Sequence, residues 1–284
     1  MLSQILFPLA KRFVSGHTID EAVAAVRRLN DQGITATLDI LGENVTERKT
    51  AEAAVSSYLQ TLDAIGQSNI RANVSLKLTQ MGLDIDRGFC LANLDRICER
   101  AAALSCFVRI DMEGSNYTQK TLELFYDLFR KHQNVGVVIQ AYLHRSLKDI
   151  YELIDVGARV RLCKGAYQEP PGLAFQEMPE IRQNFKQLSE ALLLKGDYPA
   201  MATHDDELIS WVKSFTASHG IGKERFEFQM LYGVRPETQR KLAAEGYNLR
   251  VYVPYGTHWL PYFYRRLRER RENVYFVLKN FFRT

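Results

Sequence analysis

Val135-Gly-Val-Val-Ile-Gln-Ala-Tyr142, Ser146-Leu-Lys-Asp-Ile-Tyr-Glu-Leu-Ile154 and Val160-Arg-Leu-Cys163 follow one another with only short breaks between them. The first and third runs are brief and rich in β-branched residues, which suits strands, while the middle run has the apolar spacing of a helix. A strand, a helix and a second strand in that order imply parallel pairing through a right-handed crossover.

The same unit recurs outward in both directions. Strand-like runs occupy Thr35 to Leu41, Ala72 to Leu78, Phe107 to Met112, Val135 to Tyr142, Val160 to Cys163, Ala200 to His204, Phe226 to Leu231 and Leu249 to Val253. Helical segments alternate with them: from Thr46 onward, around Leu91, Leu94 and Ile97, Thr121 to Arg130, Ser146 to Ile154, Ile181 to Lys195, Glu207 to Phe215 and Pro236 to Glu245. Eight such units predict an α/β fold of the TIM-like (βα)8 type, closed rather than open, with a final helix over the barrel's mouth. We expect one catalytic domain over 1–284, in which a helical extension (about 1–33) carries a helix from Ile19 to Leu29 across the barrel's bottom or side.

The 284 residues are 46% hydrophobic and 25% charged, an ordinary globular composition with length enough for a large core. Net charge is only +4, so global charge gives no reason to expect nucleic acid. Cys90, Cys98, Cys106 and Cys163 show no zinc or dithiol spacing and read as free thiols in a reducing, cytoplasmic setting. The opening MLSQILFPLAKRF has its basic residues after a short apolar run, and no stretch is apolar for long enough to cross a bilayer.

A barrel gathers the residues at the C-terminal ends of its strands around one mouth. Polar groups do collect there in the sequence: Asp39 and Glu43, Lys77, Asp111 and Glu113, Gln140, Arg161 and Lys164, Thr203-His204-Asp205, Gln229 and Tyr232, then Tyr252 and Tyr255. Such groups are costly in a barrel unless paired or wet, which favours a site. Asp39 and Glu113 read best as members of structural ion pairs.

From Pro261 a further helix is expected, since proline suits a first turn. Tyr262, Arg265, Arg266, Glu269 and Asn273 share one stripe of it, and Leu260, Phe263, Leu267, Val274 and Leu278 the anchoring one. Two neighbouring guanidiniums beside a phenol suit a small carboxylate, because arginine donates in a planar fork.

Several blocks together resemble the FAD-dependent proline dehydrogenases. They are Leu41-Gly-Glu43, Ser75-Leu-Lys77-Leu, Arg161-Leu-Cys-Lys-Gly-Ala-Tyr167, Ala202-Thr-His204, Arg250-Val-Tyr252-Val-Pro, and Tyr262-x-x-Arg265-Arg266-x-x-Glu269. The resemblance spans Thr35 to Asn273 in the family's order, and the length suits a monofunctional enzyme. It implies oxidation of L-proline to Δ1-pyrroline-5-carboxylate by hydride transfer to FAD, with electrons passing to a membrane quinone. A separate pyrroline-5-carboxylate dehydrogenase becomes a candidate partner, and peripheral attachment to a membrane is added to the cytoplasmic expectation. No metal is implied.

By the same resemblance Lys77, Arg265 and Arg266 clamp the substrate carboxylate, and Glu43 pairs with Arg265 as a gate. Leu162, Tyr167, Tyr252 and Tyr262 wall the substrate ring. Asp111 positions the catalytic network, in which Tyr252 is included, and Arg161 tunes the flavin. Met112, Gln140, Arg161, Lys164, Gly165, Ala166, Thr203 and His204 follow the cofactor, joined by Glu269 and by Tyr232, which stands where some members carry His. No GxGxxG fingerprint is present, so the flavin is implied by the resemblance alone.

Three other readings remain open on the residues themselves. Lys77 or Lys164 suits a Schiff-base enzyme. His204, Asp205 and Asp111 suit a metal hydrolase, without the usual ligand spacing. The arginine-rich helix with Tyr275-Phe-Val-Leu and Phe281-Phe282 suits a membrane-surface or nucleic-acid-binding tail.

Overall fold

Thr18 and Glu21 form a capping box: Thr18 Oγ1 accepts from Glu21 N at 3.3 Å, and Glu21 Oε2 accepts from Thr18 N at 3.1 Å. Two orphan amides are thereby satisfied, and helix α1 (Ile19–Asn30) begins there. The structure is a computed structural model that describes residues 7–269, with side chains as far as Leu267. After α1 come β1 (Thr35–Ile40), α2 (Arg48–Ser68), β2 (Ala72–Leu76), α3 (Arg87–Ala103), β3 (Val108–Ile110), α4 (Ser115–Phe129), β4 (Val135–Gln140) and α5 (Ser146–Asp155). The second half continues with β5 (Val160–Cys163), α6 (Met178–Lys195), β6 (Ala200–Ala202), α7 (Asp206–Ser218), β7 (Glu227–Leu231), α8 (Pro236–Ala244), β8 (Leu249–Tyr255) and α9 (Leu260–Glu269).

All eight strands pair in parallel and close in sequence order, β8 returning to β1 with Leu38 opposite Val253. Every residue of β4 is buried, as expected of a strand covered on one face by helices and on the other by the barrel interior. The apolar layer between strands and helices forms the main core, with Leu38, Val74, Val108, Val137, Leu162 and Val251 from the sheet and Tyr58, Phe125 and Phe185 from the helices.

α1 packs against β1 and β8, on the barrel's side. It fills the groove that a helix following β8 would otherwise cover, so α9 turns inward over the strand ends instead. A second, smaller core holds α9 there: Trp259, Tyr262 and Phe263 pack with Leu41, Val234 and the N-terminal Ala10, Phe13 and Val14. The N-terminal segment lies close enough for Arg12 Nε to donate to Gly233 O at 3.4 Å, and Gly233, at φ +70°, has no room for a Cβ beside that backbone.

Several boundaries differ from the sequence expectation. β2, β3, β4 and β6 end before Lys77, Asp111, Ala141 and Thr203, because these residues leave the sheet to build the rim. α4 starts at Ser115, six residues before the expected Thr121, directly after a Gly114 N-cap. Leu260 is exposed rather than anchoring, since it opens α9 at the rim, whereas Phe263 is 3% exposed. Asn273, Val274, Leu278 and the aromatic residues beyond lie outside the described residues. Cys90, Cys98, Cys106 and Cys163 are all free thiols. Among the described residues, no helix is long and apolar enough to cross a membrane.

Candidate active site

At the end of β2 the chain turns Lys77 into the barrel, where its ammonium lies 3.1 and 3.2 Å from the two oxygens of Asp39 on β1. Asp111, just past β3, stands 3.8 Å from the same nitrogen. Burial works to lower the Lys77 pKa, but the two carboxylates prevail and hold it above the ordinary lysine value, so the ammonium stays charged. Burial also raises the Asp39 carboxyl, a rise that the ammonium opposes. Asp39 is thus the structural ion-pair member expected, whereas Glu113 is not: it accepts from Thr79 N at 3.1 Å and Thr79 Oγ1 at 2.7 Å.

Asp111 is the hub. Its Oδ1 accepts from Arg161 Nη1 at 2.8 Å and Ser75 Oγ at 2.5 Å, and its Oδ2 accepts from Tyr252 OH at 2.7 Å. Burial, then the neighbouring Asp111 and Asp39, push the Tyr252 phenol well above its usual value, keeping it a donor. The Arg161 guanidinium also lies 5.4 Å from the centre of the Tyr252 ring. Its Nε and Nη2 are buried and reach no hydrogen-bond acceptor among the described residues.

A cavity of about 400 Å³ stands over this network. Lys77, Asp111, Arg161 and Tyr252 line its floor, and α9 lowers Tyr262, Arg265 and Arg266 into it. Arg266 is 8% exposed, with its guanidinium 5.1 Å from the Tyr262 ring centre. Arg265 Nη1 donates to Glu43 Oε1 at 2.8 Å; that carboxylate raises the Arg265 pKa against the opposing effect of burial. Glu43 itself lines an adjoining cavity of about 520 Å³, whose wall shares Lys77, Tyr262 and Arg265 with the first. Tyr167 closes another side of the first cavity, its phenol raised to about 12 by burial and by Glu113.

The same cavity runs on past Met112, Gln140, Lys164, Gly165, Ala166, Thr203 and His204. Lys164 Nζ lies 2.9 Å from Asp205, and Arg182 reaches the same oxygen at 2.8 Å. Burial opposes it, yet hydrogen bonds from Arg182 and Lys164 hold the Asp205 carboxyl down at about 2. Thr203 Oγ1 accepts from Asp205 N at 3.1 Å, and His204 Nε2 accepts from Leu231 N at 2.9 Å, which assigns the ring proton to Nδ1. Gln140 Nε2 donates to Glu113 O at 3.0 Å. Gly165 has φ +122°, and a Cβ there would overlap the Tyr142 ring, so this glycine is required by its backbone conformation and by its protein neighbour.

Two expected site residues lie elsewhere. Leu162 follows Arg161 on β5, so its side chain takes the opposite face, fully buried among the helices rather than against a substrate ring. Tyr232 lines neither cavity and packs on the main core. The Glu269 side chain lies outside the described residues. Arg182 and Tyr142, conversely, line or brace the site without having been singled out; nothing in their local sequence marks them, because each acts through a residue distant in the chain.

Buried charges held under a cationic helix at the strand ends of a closed barrel define a (βα)8 enzyme whose cavity suits a small anion. Comparison with known proteins narrows this. Residues 22–279 match the profile of the family described as proline dehydrogenase. The chain is 42% identical over 270 residues to proline dehydrogenase 2 of Bacillus subtilis, covering 95% of this chain and 89% of that one. Proline dehydrogenase of Deinococcus radiodurans is 40% identical over 281 residues, covering 97% and 91%. Among solved structures, proline utilization A from Bdellovibrio bacteriovorus, inactivated by N-propargylglycine, superposes with a TM-score of 0.86 at 26% identity. That match covers 92% of this chain and only 32% of the larger protein. The chain belongs to the proline dehydrogenase family.

Proposed function

We propose that the protein oxidises L-proline to Δ1-pyrroline-5-carboxylate with bound FAD, passing the electrons to a membrane quinone in the first step of proline catabolism. The described chain then acts as one catalytic unit, in the cytoplasm or peripherally at a membrane, and a separate pyrroline-5-carboxylate dehydrogenase consumes the product. One observation carries the reading: three cationic side chains, Lys77, Arg265 and Arg266, converge on a cavity walled by Tyr167, Tyr252 and Tyr262 above a half-buried Asp111.

The residues suit a flavin dinucleotide. Arg161 presents buried donors with no acceptor among the described residues, which an electron-rich ring system would satisfy. Met112, Gln140, Arg161, Lys164, Gly165, Ala166, Thr203 and His204 would hold the cofactor, with Lys164 offering charge to its pyrophosphate. When bound, FAD supplies a two-electron oxidant that takes hydride from the ring carbon next to nitrogen.

The chain's own residues do the rest. Arg265, Arg266 and Lys77 fix the substrate carboxylate, turning an encounter into a set orientation. The aromatic walls bury the ring methylenes and exclude water. Proline arrives with a protonated amine, which must lose its proton before hydride can leave. The charged Lys77 and the arginines favour that loss, while Asp111 fixes Tyr252 and Arg161 by hydrogen bonds and, as a carboxylate lining the same cavity, is a candidate to take a proton. Held above the ordinary lysine value by Asp39 and Asp111 against the opposing effect of burial, Lys77 is poorly suited to a Schiff-base role.

The test is the colour of the purified protein and its response to proline without oxygen. A yellow flavin spectrum that bleaches on adding proline is expected. A preparation that stays colourless after reconstitution with FAD, or keeps its colour in saturating proline, would overturn the proposal.

A further inference from the structure

α4 begins with Gly114 at the N-cap, no acidic residue in its first turn and no side-chain cap from its own segment. The first amides of a helix need acceptors, and a carboxylate is the favoured one there. Glu169 supplies it from the loop between β5 and α6, across 54 positions of sequence: its Oε1 accepts from Ser115 N at 2.7 Å, and its other oxygen accepts from Ser115 Oγ.

The loop that Glu169 ties down carries Tyr167, two residues earlier, into the cavity. Beyond Glu169 the loop is held by Gln176 Nε2 donating to Glu169 O at 3.2 Å and by Phe175 N donating to Tyr142 O at 2.8 Å. Before it, Tyr142 N donates to Lys164 O at 2.8 Å. Between Lys164 and Pro170 the Glu169 carboxylate is thus a side-chain anchor that joins the loop to α4, beside the bond of Lys164 to Asp205 at its start, and α4 directly follows the strand end bearing Asp111 and Met112.

Resting on the proposed function, we infer that Glu169 is a positioning residue for substrate binding: by capping α4 it holds Tyr167 against the ring of the bound imino acid. It touches no reacting atom. Its effect belongs to binding and not to the chemical step, because the wall it sets contacts the substrate equally before and during hydride loss.

The experiment is a double-mutant cycle on the flavin-loaded enzyme, with KM and kcat for proline and the dissociation constant of a non-reacting proline analogue read from the flavin spectrum. Glu169→Ala is expected to raise KM about fivefold to tenfold, the fold-change that a lost cap produces when its whole cost falls on the binding-competent position of the loop, with kcat changed by less than about twofold. Glu169→Gln, which keeps one acceptor, and Ser115→Ala, which keeps the backbone donor, should both fall between. Tyr167→Ala should raise KM by itself, and adding Glu169→Ala to it should raise KM little further. Additive effects, or a Glu169→Ala enzyme that melts earlier yet keeps its KM, overturn the inference. So does an unchanged KM in Tyr167→Ala; continued bleaching of the flavin by proline would show that the proposed function survives that failure.

Discussion

The barrel buries charge at both ends, to opposite purposes. Near the N-terminal ends of its strands, Arg250 Nε donates to both oxygens of Glu227 at 2.9 and 3.1 Å, while its Nη1 donates to Ala36 O at 2.8 Å. Arg109 donates to Val137 O at 3.1 Å and to Arg159 O, and its guanidinium lies 4.9 Å from the Phe107 ring centre. Neither cavity reaches these groups. At the mouth, Lys77 and Arg161 are as well buried and Asp111 is half-buried, but all three line the cavity; among the described residues two nitrogens of Arg161 reach no acceptor, nor does Nε of Arg109 at the base. Burial alone therefore does not separate a structural charge from a functional one. The separating feature is whether the charged group lines a cavity or is enclosed by backbone and other side chains.

Substitutions at the two ends should consequently move different observables. The largest effect is expected at the base: Glu227→Gln leaves Arg250 and Arg109 without a counter-charge and should cost about 3–5 kcal/mol in urea denaturation, with the KM of the folded fraction unchanged. A shifted KM at unaltered stability would reverse the comparison. At the mouth, Asp111→Asn removes the acceptor shared by Tyr252, Arg161 and Ser75; kcat/KM for proline should fall about 100-fold, roughly 3 kcal/mol, with a much smaller stability change. Should turnover survive while the protein unfolds, Asp111 belongs with the base.

Arg266→Met should weaken a proline analogue more than about tenfold, or ~1.4 kcal/mol, and leave the flavin spectrum intact. Loss of flavin with analogue affinity retained would place Arg266 on the cofactor instead. The smallest effect concerns Asp205. Its folded pKa of about 2 lies below the ordinary 3.8, so its contribution is fully present above roughly pH 4 and fades as pH falls toward 2. Asp205→Asn should therefore cost roughly 1 kcal/mol at pH 7, after allowance for solvent screening, and almost nothing near pH 2. Urea midpoints at the two pH values would show it, and an equal loss at both would mean that the ion pair with Lys164 and Arg182 is not its source.

Much of this was legible because its causes are local. Strand and helix periods gave the order of elements, and α5 and β5 fall within a residue of their expected limits. The stripe of Tyr262, Arg265 and Arg266 was readable from helical spacing, and all three face the cavity. Leu162 failed for an equally local reason: its neighbour Arg161 points into the barrel, so strand parity sends Leu162 outward, and a motif read as a contiguous word conceals that alternation. Leu260 failed because membership of an apolar stripe does not reveal where along a helix packing begins.

Taken alone, the chain determined the repeating unit, the rim's polar character and the cationic face of α9, since each depends on residues close in sequence. Tertiary structure alone decided that α1 takes the place beside β8, that the N-terminal segment holds α9 over the strand ends, and that Asp111 collects Ser75, Arg161 and Tyr252 from three other strands. Those contacts join residues tens to hundreds of positions apart, and their geometry is set by closure of the sheet, which no local propensity encodes.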